Sequence, residues 1–204
     1  MSVAAAIPAR PQKIHPAWVR ICHWINALTI LVMIASGWRI YNASPLFDFL
    51  FPPSFTLGGW LAGALLWHFA AMWVLVINGI VYLALGFATG RFRRKLWPIR
   101  PGEVFADVKA ALTFRLAHQD LSTYNAVQKL LYAGVLLCGV IIALSGIAIW
   151  KPVQFQELTW LFGGYDAARY VHFIAMAAIV GFLVIHIELA LIVPKSLRAM
   201  VVGK

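Results

Sequence analysis

The chain has 204 residues, 62% of them apolar and 12% charged, with a mean hydropathy of +0.82. A soluble domain carries about a quarter charged residues, so this composition excludes a water-exposed globular protein and describes one that is almost entirely membrane. Cys22 and Cys138 sit inside apolar runs with no CxxC or CxxCH, which excludes a disulfide scaffold, a thiolate zinc site and covalent haem attachment. A net charge of +10 would suggest nucleic acid in a polar protein. Here the basic residues are topology signals, and no nucleic-acid partner is expected.

The first twenty residues carry prolines and charges ahead of a long apolar run, without a short apolar core and small-residue cleavage site. No removable signal peptide is read from them. Four segments then reach the roughly 20 apolar residues that cross about 30 Å of hydrocarbon. They run over about 17–41, 57–87, 124–150 and 167–193, and all are expected to be helices, because lone strands leave backbone groups unsatisfied in lipid. The expected fold class is all-α: an integral membrane four-helix bundle.

Fourteen of the seventeen Lys and Arg residues fall in the N-terminal tail, the segment of about 88–123 with its edges, and the C-terminal tail. Only Arg39, Lys151 and Arg169 fall on the other side. This asymmetry predicts cytoplasmic termini. Within the cytoplasmic segment, Val104, Val108, Leu112 and Leu116 recur at helical spacing opposite Asp107, Lys109 and Arg115, just after Pro101. This predicts an amphipathic helix on the inner leaflet, or a solvated connector. A weak internal echo links ASGWRIYN, at the end of span one, with LSGIAIWK, at the end of span three. It puts Ser36-Gly37 and Ser145-Gly146 at matching depth, where small residues admit a neighbouring helix or a flat ligand.

Ionisable side chains inside a bilayer are costly and mark function. Of six histidines, His23, His68, His172 and His186 lie within spans, whereas His15 precedes Pro16 at the inner surface and His118 lies in the inner loop. His23 enters with span one near the inner face, and His68 lies in the outer half of span two. Span four descends from outside, placing His172 near its outer end and His186 about 21 Å deeper, on one face to within about 40°. The depths pair His23 with His186 and His68 with His172. Two imidazoles facing across a bundle core are what a six-coordinate b-type haem requires, so two non-covalent haem b groups are expected. Zinc or copper would need ligands converging at one depth. Arg39 and Arg169, near the outer ends of spans one and four, suit either the propionates of the outer haem or snorkelling to the interface. Trp38, Trp60, Trp67, Trp150 and Trp160 read as an interfacial aromatic belt.

With RICHWINA in span one, LLWHFA in span two, YNAVQK opening span three and the two histidines of YVHFIAMAAIVGFLVIHIELA in span four, the chain resembles the four-helix cytochrome b family. That family includes the gamma subunit of formate dehydrogenase, the b-type cytochrome of nickel–iron hydrogenases and bacterial cytochrome b561. The resemblance covers the chain from about His15 to Leu197 and implies a single transmembrane cytochrome b domain acting as a diheme conduit. It implies a quinone site on the cytoplasmic side, near an asparagine matching Asn125. The residues alone also allow Asn125 to be the N-cap of span three. Gln128 lies at the same depth, and Lys129 suits lipid headgroups, a quinone or a propionate. Glu188 points roughly 200° away from His186, as a proton-path group, a buried neutral acid or a helix contact.

Nothing in the sequence binds molybdenum, nickel or iron–sulfur clusters, and no residue reads as catalytic. Relatives with this plan commonly serve a separate periplasmic molybdopterin or metal enzyme, and the apolar outer loops would be the surface such a partner meets. A self-sufficient superoxide:quinone oxidoreductase of the cytochrome b561 type is a second redox reading. A haem-free metal or proton transporter or scaffold is the reading from another class, although inverted repeats and broken helices are missing apart from the SG echo.

Overall fold

A computed structural model describes residues 14–113 and 123–203. The described residues are helical with no strand. Four helices are long and apolar enough to cross a membrane: α1 Ala17–Ala43, α2 Leu61–Ala88, α5 Ala126–Trp150 and α7 Tyr165–Ile192. Short helices connect or follow them: α3 Arg91–Leu96, α4 Pro101–Leu112, α6 Gln156–Leu161 and α8 Pro194–Val202. The expected bundle is therefore present. Arg10, Lys13, Arg115, Leu116, His118 and Lys204 fall outside the described residues.

Span two starts later than hydropathy suggests, at Leu61 rather than about Leu57. Leu57 N donates to Ala35 O at 3.0 Å, and Gly58 and Gly59 adopt φ of +105° and +70°. A Cβ on Gly58 would collide with the backbone of Ala64, so the chain turns sharply here before the helix can begin.

The long helices form two antiparallel pairs, α1 with α2 and α5 with α7, each packed closely within itself, with a looser seam between the pairs. Small residues make the close approach possible: Ala64, Ala148, Ala168, Ser36 and Ser145 are fully buried. Asn78 of α2 is buried and donates through Nδ2 to Cys22 O at 2.8 Å and Asn26 Oδ1 at 2.7 Å, tying α2 to the turn of α1 that carries His23.

Both described ends of the chain meet at one end of the bundle, here the terminal end; the opposite end is the loop end. Ile14 N donates to Gly203 O at 3.0 Å, and Arg20 Nη1 reaches Val201 O at 2.6 Å. Trp24 Nε1 reaches Met200 O at 3.4 Å, so side chains of α1 satisfy the last carbonyls of α8. The helix expected between spans two and three is α4, and it is docked: Asp107 Oδ2 accepts from Ala126 N at 2.7 Å. A carboxylate placed on the first N–H groups of α5 complements both the unsatisfied donors and the helix dipole.

Candidate functional site: two imidazole pairs across the seam

His68 is the eighth residue of α2 and His172 the eighth of α7, and both helices start at the loop end. Equal register therefore gives equal depth, and their ring centres stand 6.5 Å apart with planes at 62°. His23 of α1 and His186 of α7 face each other toward the terminal end, with centres 5.9 Å apart and planes also at 62°. Each pair joins one helix of the α1/α2 hairpin to α7 of the other, so both span the seam.

These spacings suit a metal held between two rings. An imidazole nitrogen binds a first-row metal at about 2 Å and the ring centre lies about 1 Å behind it, so two trans ligands place their centres about 6 Å apart. Among the described residues no group of three or more His, Cys, Asp and Glu converges. None of these residues gathers into the three- or four-ligand cluster of a tetrahedral zinc or copper site, while a facing imidazole pair occurs twice.

The SG echo lies against the loop-end pair. Ser36 Oγ is 3.0 Å from His68 Nδ1, and Ser145 Oγ is 3.1 Å from His172 Nδ1. A Cβ on Gly37 would lie 3.3 Å from His68 Cε1, and one on Gly146 would lie 3.2 Å from His172 Cε1. The glycines leave room for the rings, and the serines touch them. At the terminal end Phe182 stacks on His186, with centres 5.5 Å apart and planes at 14°. Phe182 also meets Tyr132 at 6.2 Å, and Tyr132 meets Tyr124 at 5.0 Å, so aromatic contacts run from the start of α5 to His186.

Asn125 is the N-cap of α5: its Oδ1 accepts from Gln128 N at 2.7 Å, and Gln128 Oε1 accepts from Asn125 N at 3.2 Å. Of the two roles open to Asn125, capping is realised. Lys129 Nζ donates to Pro98 O at 3.3 Å. At the loop end Arg169 Nη2 donates to Ser44 Oγ at 3.0 Å and to the Ser44 carbonyl, with Nη1 3.8 Å from Asp166 Oδ1. Arg39 is half-buried on α1. Trp38 stacks on Phe51 at 4.5 Å, and its Nε1 is buried without an acceptor among the described residues. Glu188 is exposed on the outside of α7 rather than buried.

Around the terminal end, His15 Nδ1 accepts from Arg91 Nη2 at 3.1 Å. Burial, then the positive charges of Arg91 and Lys95, lower the His15 pKa to about 4. Burial raises the pKa of the Tyr124 hydroxyl, against the nearby positive charge of Arg91.

Residues 14–203 match the prokaryotic cytochrome b561 family. The chain belongs to that family. This cytochrome is 47% identical, over 93% of its length and 96% of the relative's, to a putative protein-methionine-sulfoxide reductase subunit YedZ1 of Azospira oryzae. It is 23% identical, over 87% of its length and 76% of the relative's, to a probable Ni/Fe-hydrogenase B-type cytochrome subunit of Bradyrhizobium diazoefficiens. Family membership brings haem b and electron transfer in a multi-pass bacterial membrane protein, and it removes the haem-free transporter reading. Sequence reasoning missed Asn78, the docking role of Asp107 and the ring contacts of Phe182. Only Asn78, a polar residue inside an apolar span, carried a signal that could have been read.

Proposed function

We propose that this cytochrome is a diheme conduit. His23 and His186 would hold one haem b at the terminal end, and His68 and His172 would hold a second at the loop end. The observation that carries this is the recurrence, at two depths, of an imidazole pair with the centre spacing that a shared metal demands. Haem bound there supplies one-electron chemistry, while the chain's residues hold it, orient its ligands and exclude water.

The excess of Lys and Arg at the terminal end supports cytoplasmic termini in the inner membrane. A quinone is then the electron partner on the cytoplasmic side, beside Asn125, Gln128 and Lys129. The ring contacts from Tyr124 to His186 support this placement. Quinone carbonyls need hydrogen-bond donors, and the Gln128 amide and Lys129 ammonium supply them at this level. Arg39 is the better placed cation for a propionate of the outer haem, because Arg169 is engaged by Ser44. The four spans and the segment between them work as one domain.

Both relatives are named as subunits, which supports an oxidoreductase partner. We assign it to the periplasmic side, as a molybdopterin or other metal enzyme docking on the aromatic outer loops. Haem b per chain, measured by pyridine haemochrome, tests the core of this reading. The expected value is two, falling to one in His186→Ala and in His172→Ala, with a different haem lost in each. Loss of the same haem in both variants would refute it.

A further inference from the structure

The two serines of the SG echo do more than pack. Each gives its own proton away within its helix: Ser36 Oγ donates to Val32 O at 2.6 Å, and Ser145 Oγ to Ile141 O at 2.7 Å. With the hydroxyl hydrogen so engaged, what remains for the neighbouring ring is a lone pair. Each hydroxyl also lies 3.2 Å from a second carbonyl of its own helix, Met33 O and Ile142 O respectively. Both loop-end rings therefore carry their hydrogen on Nδ1 and donate it toward the serine, leaving the Nε2 lone pair for a metal. The same pattern stands on two helices 109 positions apart in the chain, with a glycine after each serine clearing space for the ring. The terminal-end rings differ, since neither His23 nor His186 has a hydrogen-bond partner among the described residues.

We infer that Ser36 and Ser145 are positioning residues that fix the tautomer of His68 and His172 and lower the reduction potential of the loop-end haem. The inference rests on the diheme reading. A ligand imidazole that donates its second N–H to an acceptor becomes more basic, a more basic axial ligand favours ferric over ferrous iron, and hydrogen bonding around the ligands is one of the levers on haem potential.

The test is a spectroscopic redox titration of the purified holoprotein and of Ser36→Ala, Ser145→Ala and the double variant, with haem content measured on each. The loop-end haem is identified as the one missing from His172→Ala. The expected result is two haems per chain, a midpoint shifted positive for the loop-end haem alone, a larger shift in the double variant, and return toward the parent value in Ser36→Thr, which restores the hydroxyl. Two haems with an unmoved loop-end midpoint, or equal shifts of both haems, would overturn the serine role while leaving the diheme reading intact. A parent protein without haem would remove both. Should an alanine variant fail to fold, Gly37→Ala and Gly146→Ala carry the test. Each keeps its serine but presses on a ring, so the loop-end haem spectrum should change and the other should not; an unchanged spectrum would count against ring placement by the SG pairs.

Discussion

Phe182 lies one helical turn before His186 on α7 and stacks on its ring, with centres 5.5 Å apart and planes at 14°. Offset stacking of this kind is worth about 0.5–1.5 kcal/mol beyond area burial, enough to hold the imidazole in one rotation. Given the proposed diheme arrangement, Phe182→Leu should keep the fold and leave the loop-end haem untouched, while broadening the paramagnetic resonance of the terminal-end haem and increasing its loss on dilution. Equal behaviour of the two haems would argue against this role.

Asn125 has a structural duty as an N-cap, and a quinone role has to be separated from it. Asn125→Leu removes the cap, costing about 1 kcal/mol, whereas Asn125→Ser keeps a capping oxygen and removes the amide. If the amide touches quinone, both variants should slow quinone turnover about tenfold or more at unchanged haem content. Slowing in the leucine variant alone would leave Asn125 as a cap only.

His15 makes the terminal end sensitive to acid. Its folded pKa of about 4 lies below the ordinary 6.5, because burial and neighbouring Arg91 disfavour the charged ring. The unfolded chain therefore takes up a proton as pH falls through 6.5 and the folded chain does so only near 4, so stability drops across that window and is unaffected above it. Solvent around the half-buried ring screens the effect, leaving about 1 kcal/mol, or about 2–4 °C in Tm. His15→Gln keeps an acceptor for Arg91 without titrating, and should lose less Tm than the parent between pH 7.5 and pH 5.

Asn78 joins α2 to the turn of α1 that carries His23, through bonds of 2.8 Å and 2.7 Å. Hydrogen bonds between membrane helices average about 0.6 kcal/mol, and Asn78→Leu also strands the Asn26 carbonyl. A loss of about 1–2 kcal/mol in detergent unfolding is expected, with the terminal-end haem released before the other. A variant as stable as the parent would show that lipid-like packing replaces the pair.

The four spans, the depth of each histidine and the pairing of His23 with His186 and His68 with His172 were readable from residue order. Lipid demands an unbroken apolar run of fixed length, and a helix converts position into depth at about 1.5 Å per residue. Depth does not say which way a helix is turned about its axis. That rotation depends on contacts between residues far apart in the chain, such as Cys22 and Asn78, separated by 56 positions. Only the packed bundle therefore turned the SG echo from a curiosity into two serines touching two imidazoles. It also moved the start of span two to Leu61, drew Asp107 onto the first turn of α5 and brought Phe182 onto His186. Each of these needs two surfaces to meet, and no property of either segment alone specifies the meeting.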